Sequence, residues 1–198
     1  MFMEKVVDLE EPLVFTNDKY CHDKTTIINI HESLNKFGFS KYIITDEKDN
    51  EIFKFKLGSG ISKRDLTDLQ GRSLISFKFD ILSIKLRANI IGKSGKKIGK
   101  LECPKLMSGK KYCVYITYPG SGKEEYFEMR QENTKTSDIY HGKREEGAPL
   151  VAKIKRIYDN KISKFISFIQ NYTIEIGPNV DSALIVLLAL IFDITRTS

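Results

Sequence analysis

The stretch from Ser182 to Ile194 reads SALIVLLALIFDI, and Ala183 to Phe192 are ten apolar side chains without a break. Leu and Ala dominate it, so propensity and length both favour helix over strand. Pro178 to Ser182 supply N-cap candidates and an acidic first turn. A helix apolar on every side either spans a membrane or is enclosed by protein. A span takes about 20 apolar residues, whereas ten rise only about 15 Å. Asp181 and Asp193 bracket the run. The enclosed reading therefore leads, with a helix at about 181–194, and length disfavours a tail anchor. Burying such side chains is worth about 1.5–3 kcal/mol each. Truncation before Ser182 is expected to leave an insoluble chain.

An enclosed helix needs a wall, and the rest of the sequence reads as strands. Thr25 to Ile30 is β-branched and apolar, and Tyr42 to Thr45 is a short strand. A turn at Asp46–Asn50 leads to Ile52–Leu57, where Phe53, Phe55 and Leu57 alternate with Lys54 and Lys56. Leu74 to Ile90 alternates strictly but changes phase after Leu82, which implies a bulge or turn near Ile81-Leu82. Gly92 to Lys96 is a tight turn, and Ile98 to Leu101 returns from it. Tyr112–Tyr118, Tyr126–Arg130, Leu150–Ile157 and Tyr172–Ile176 are further strands, and Gln131 to Pro149 reads as the longest loop. Lys161 to Gln170 suits strand or helix, with strand favoured by its neighbours. Short strands at regular spacing indicate an all-β barrel or sandwich of stacked hairpins. Residues 1–24 read as an extended N-terminal arm that packs late or frays, and 25–198 as one domain.

The chain has 198 residues and a net charge of +6. The charge is concentrated: from Lys85 to Lys111 there are nine basic residues opposed only by Glu102, giving +8, while the remainder carries −2. An anionic partner is expected there, at Lys93, Lys96, Lys97, Lys100, Lys110 and Lys111. Loop lysines on a rigid scaffold can hold phosphate groups as point charges. The bland alternative is a solvated lysine-rich surface. Base readout of nucleic acid is disfavoured, because lysines outnumber arginines and no stacking aromatics are interleaved.

Other chemistry is poorly supported. Pro119 to Glu124 hints at a phosphate loop, but a P-loop needs Gly-Lys followed by Ser or Thr and a helix, whereas Lys123 is followed by Glu124 and a strand. Cys21, Cys103 and Cys113 form no CxxC pair, and His22, His31 and His141 lack metal spacing. Neither catalytic residues, a metal, nor a cofactor are expected. The odd, sparse cysteines suit a reducing, cytoplasmic compartment, and the acidic start lacks a signal-peptide pattern.

The segment Tyr172-Thr173-Ile174-Glu175-Ile176-Gly177-Pro178-Asn179-Val180-Asp181-Ser182-Ala183-Leu184-Ile185 resembles the closing signature of LURP-one-related proteins: an alternating strand, a Pro-Asn-x-Asp turn and a hydrophobic helix. The hairpin from Tyr42 to Phe55 and the strands from Leu74 to Ile84 resemble their earlier elements. The resemblance runs from about Tyr20 to Ile194. It implies a mainly β fold like the tubby C-terminal domain and the phospholipid scramblases, a barrel of about 12 antiparallel strands enclosing the C-terminal helix. Tubby domains bind phosphoinositides through basic side chains, but none of their headgroup residues maps onto this sequence; the basic loops are what point to a non-enzymatic intracellular binding module, recognising phosphoinositide or an anionic membrane surface and peripheral at membranes. The alternative is a structural or adaptor protein, stress or defence associated, with an unknown protein partner and no lipid ligand. The cysteine cluster of scramblases is absent. Fold alone does not decide between these readings.

Overall fold

The computed structural model describes residues 5–34, 40–57, 63–80, 87–103, 111–119, 121–157 and 171–196. Twelve strands form a closed antiparallel barrel: β1 (Thr26–Leu34), β2 (Ser40–Asp46), β3 (Glu51–Leu57), β4 (Lys63–Thr67), β5 (Ser73–Phe79), β6 (Arg87–Gly92), β7 (Lys97–Glu102), β8 (Lys111–Thr117), β9 (Glu124–Gln131), β10 (Thr136–His141), β11 (Leu150–Ile157) and β12 (Asn171–Ile176). Each strand pairs with its sequence neighbours, and β1 closes the ring against β12, with Thr26 opposite Ile176 and Ile30 opposite Tyr172. Closure leaves none of the twelve described strands with an open edge. Register shifts at Ile44/Thr45, Leu66/Thr67, Ile90/Ile91 and Ile139/Tyr140 bend the strands around the ring.

Period two explains the wall. Ile28, Ile30, Ile44, Phe53, Leu66, Ile75, Phe77, Ile90, Leu101, Val114, Ile116, Phe127, Met129 and Ile174 are all buried. They surround α1 (Ser182–Arg196), whose residues Ala183 to Phe192 are 0–6% exposed. The apolar run is thus enclosed by the chain's own sheet, and no described helix is long and apolar enough to cross a membrane. The helix runs past its expected end. Asp193 is not a solvent-facing stop: it is buried and accepts a hydrogen bond from the Tyr172 hydroxyl. Burial and the Asp193 charge push the Tyr172 phenol well above its usual range.

One expectation needs correction, and one strand was not anticipated. Gln131–Pro149 is not one loop, because Thr136–His141 forms β10 with Ser137, Ile139 and Tyr140 buried. Asp138 is buried as well, and the Tyr140 ring lies beneath Arg144 of the following segment. Strand β4, Lys63–Thr67, was masked in the sequence by Lys63, Arg64 and Asp65, which leave only Leu66 and Thr67 fully inside. The ambiguous 161–170 stretch and the phase change at Ile81-Leu82 lie outside the described residues.

Because the strands form a meander, every even-to-odd turn lies at one end of the barrel, which is also where β12 hands over to α1. Residues 5–24 run across this end. Val7 N–H donates to Leu150 O at 2.8 Å, and Leu13 N–H to Asn179 O at 2.8 Å. Phe15 is buried, edge-on to Tyr118 and Phe127. A Cβ at Gly177 would stand 2.5 Å from Val7 O, so only glycine admits the arm this closely.

Candidate functional site

The β6–β7 turn is built for tightness. Gly95 N–H donates to Gly92 O and Gly92 N–H to Lys96 O, both at 2.9 Å, and Gly95 adopts φ +78°. That left-handed conformation suits glycine. The turn sets Lys93, Lys96 and Lys97 in solvent, and none has an acidic partner among the described residues.

The remaining expected lysines are placed differently. Lys100 lies on the outer wall, 3.4 Å from Glu102 and over the Tyr115 ring at 4.9 Å. Glu102 also holds Arg87 at 3.3 Å, so the segment's lone carboxylate is shared by two cations. Lys111 begins β8 at the opposite end of the barrel from the turn. Its ammonium sits 2.6 Å from Glu128, which is fully buried. Lys110 lies outside the described residues. The structure therefore brings together Lys93, Lys96 and Lys97 and separates them from Lys111.

Glu128 anchors a polar cluster on the outer wall that the sequence did not reveal. It accepts from Lys111 and from Arg130, and Arg130 also donates to Glu145. Tyr126 Oη donates to Cys113 Sγ at 3.1 Å. Burial, then the Cys113 contact, pushes the Tyr126 phenol up. The β10–β11 connection folds back over this cluster: Arg144 reaches Glu132 at 2.8 Å and lies over the Tyr140 ring at 5.3 Å. A charge already balanced by buried partners is a structural one.

At the arm end, Asp181 is the second missed constellation. Its carboxylate accepts from Ala183 N and Leu184 N at the start of α1. It also accepts from Phe15 N, Thr16 N and the Thr16 hydroxyl. Burial pushes its carboxyl up while these donors pull it down, and burial is the larger effect. Nearby, Cys21 Sγ donates to Leu13 O at 3.4 Å. Burial, then the charges of Asp181 and Asp18, pushes its thiol up to about 12.

The earlier suspicions about other chemistry find simple places. Cys103 is buried in the core, and Cys113 sits beneath Tyr126 on the outer wall. His141 Nε2 contacts Glu125 Oε2 at 2.7 Å. Among the described residues no cluster of three or more His, Cys, Asp or Glu could hold a metal ion. The β8–β9 turn leads into strand β9, not into the helix a P-loop needs.

A closed 12-stranded antiparallel barrel wound around an apolar C-terminal helix, with the Pro178-Asn179-Val180-Asp181 turn feeding that helix, defines a narrow class of protein. The LURP-one-related family matches residues 26–193, and the chain belongs to that family. A crystal structure of a protein from Arabidopsis thaliana is similar with a TM-score of 0.64 and 22% identity, covering 93% of this chain and 99% of that one. At that identity the likeness is one of fold. No curated protein matches in sequence.

Proposed function

We propose that this LURP-one-related barrel is a non-enzymatic binding module that docks on an anionic phospholipid surface through its β6–β7 turn. The observation that supports this is the presentation of Lys93, Lys96 and Lys97 as exposed ammonium groups on one rigid turn, without acidic partners among the described residues. Each lysine near an anionic leaflet contributes about 1 kcal/mol, within a Debye length of the surface. Three give weak, reversible docking at a cytoplasmic membrane face, strengthened by any headgroup that adds phosphate charge, such as a phosphoinositide.

Vesicle co-sedimentation tests the reading. Binding to vesicles containing phosphatidylserine or phosphoinositide is expected at low salt, with loss at 0.5 M salt and in the Lys93→Glu, Lys96→Glu, Lys97→Glu triple variant. Equal pelleting with neutral vesicles, or no pelleting at low salt, overturns it; the second outcome favours the adaptor reading.

A further inference from the structure

A cleft of about 490 Å³ opens at the arm end, between the arm on one side and the β6–β7 and β8–β9 turns on the other. That volume falls in the range of small-molecule sites. Phe15, Ile98 and Tyr118 supply apolar lining. Lys93 and Ser94 come from the turn wall and Asp18 from the arm wall. The two walls therefore offer opposite chemistry. An ammonium and a hydroxyl suit a phosphate, whereas a carboxylate is acceptor-only and suits a donor, such as a carbon-bound hydroxyl. Free phosphate would meet the repulsion of Asp18 without using it. A phosphate carried on a hydroxylated ring or chain would use both walls and lay its C–H face on the apolar lining.

We infer that the cleft binds a hydroxylated phosphate monoester, with Lys93 and Ser94 on the phosphate and Asp18 accepting from the hydroxyls. The inference rests on one part of the docking reading, the exposed charge of Lys93, and it has its own readout. The same chemistry occurs in a phosphorylated polyol headgroup of a lipid and in a free sugar phosphate.

The experiment is an amide-resolved NMR titration of the full chain with glucose 6-phosphate and, separately, inorganic phosphate, alongside sedimentation with vesicles containing phosphatidylinositol 4-phosphate. Glucose 6-phosphate is expected to move the amides of Phe15 and Asp18 together with those of Ser94 and Ile98. Lys93→Gln should weaken it about tenfold, the loss of one charge-assisted bond. Asp18→Asn should weaken glucose 6-phosphate about threefold yet leave inorganic phosphate unchanged or tighter. Shifts confined to Lys93 and Ser94, or an Asp18→Asn variant that binds both probes alike, overturn the inference. Sedimentation with anionic vesicles that ignores Asp18→Asn, with no response to glucose 6-phosphate, overturns it while the docking reading stands. A response to glucose 6-phosphate without vesicle binding upholds it with a soluble ligand, and the docking reading then falls. A response to both, each weakened by Asp18→Asn, upholds it with the lipid headgroup as a source.

Discussion

Thr16 gives the Asp181 carboxylate two hydrogen bonds, from its backbone N–H at 2.7 Å and from its hydroxyl at 2.9 Å. The same carboxylate caps α1 through Ala183 and Leu184. One buried side chain thus fixes both the arm and the start of the central helix. Asp181→Asn should cost on the order of 3 kcal/mol, because it turns one of the two acceptor oxygens into a donor facing buried N–H groups. Thr16→Val should cost about 1 kcal/mol. Urea unfolding curves check both, and faster hydrogen exchange at Leu13–Thr16 should accompany the loss. An unchanged midpoint for Asp181→Asn would remove the role assigned to it.

Lys111 and Lys93 should behave oppositely, although both belong to the basic segment. Lys111→Ala deprives fully buried Glu128 of a partner at 2.6 Å and should destabilise by about 2 kcal/mol, Arg130 remaining. Lys93→Ala, at an exposed turn, should stay within about 0.5 kcal/mol. Thermal unfolding of the two variants separates a structural lysine from a free one.

The stability of the barrel should fall in acid, and Glu125 should contribute. Burial raises its carboxyl, but Lys123 and His141 more than offset this and hold it below the usual range. A carboxyl held lower in the folded state contributes stability above its unfolded pKa and loses it as pH falls through the folded one. The difference in stability between the native chain and Glu125→Gln should therefore shrink as pH drops from 6 to 3. A difference independent of pH over that range would contradict the ion pair. Asp68, lowered by Arg72 despite burial, should follow the same sign.

The Cys21 thiol should react slowly despite its partial exposure. With its pKa pushed up to about 12, its thiolate fraction at pH 8 is smaller than that of a free cysteine by on the order of a thousandfold. Alkylation followed by peptide mass spectrometry should label Cys21 in urea but not in the native chain. Rapid native labelling would mean that the arm does not hold Cys21 against Leu13 and Asp181.

Removing bulk from α1 should be costly. Leu187→Ala, at a fully buried position inside the barrel, is expected to cost about 2–5 kcal/mol. Truncation before Ser182 should give insoluble protein, because the inward faces of twelve strands would then enclose no helix. A soluble truncation product with cooperative melting would refute this.

The enclosed helix was legible because ten apolar residues are too few for a membrane and too many for a surface. Most strands were legible from alternation, as in Phe53 and Phe55 or Tyr112 and Val114. Alternation failed where the outer face is also covered: Asp138 and Tyr140 on β10 are buried by a returning loop, and no local pattern announces a loop that folds back. The candidate site was legible only as a charged segment. Charge density pointed to Lys93, Lys96 and Lys97, but sequence proximity could not show that β7 carries Lys111 to the other end, or that Glu128, seventeen residues on, neutralises it. Asp181 was readable as a helix cap, whereas its bonds to Phe15 and Thr16 join residues 165 or more positions apart.

The seam between β1 and β12 has a consequence for biogenesis. Thr26 finds Ile176 only after the eleven strands that follow β1 have been made, and the hydrophobic rod that fills the ring is made later still. Until then the nascent chain carries two unsatisfied flanks and a hollow lined with Ile and Phe. Vectorial folding, hairpin by hairpin, can prepare this ring but cannot complete it before the helix has been made.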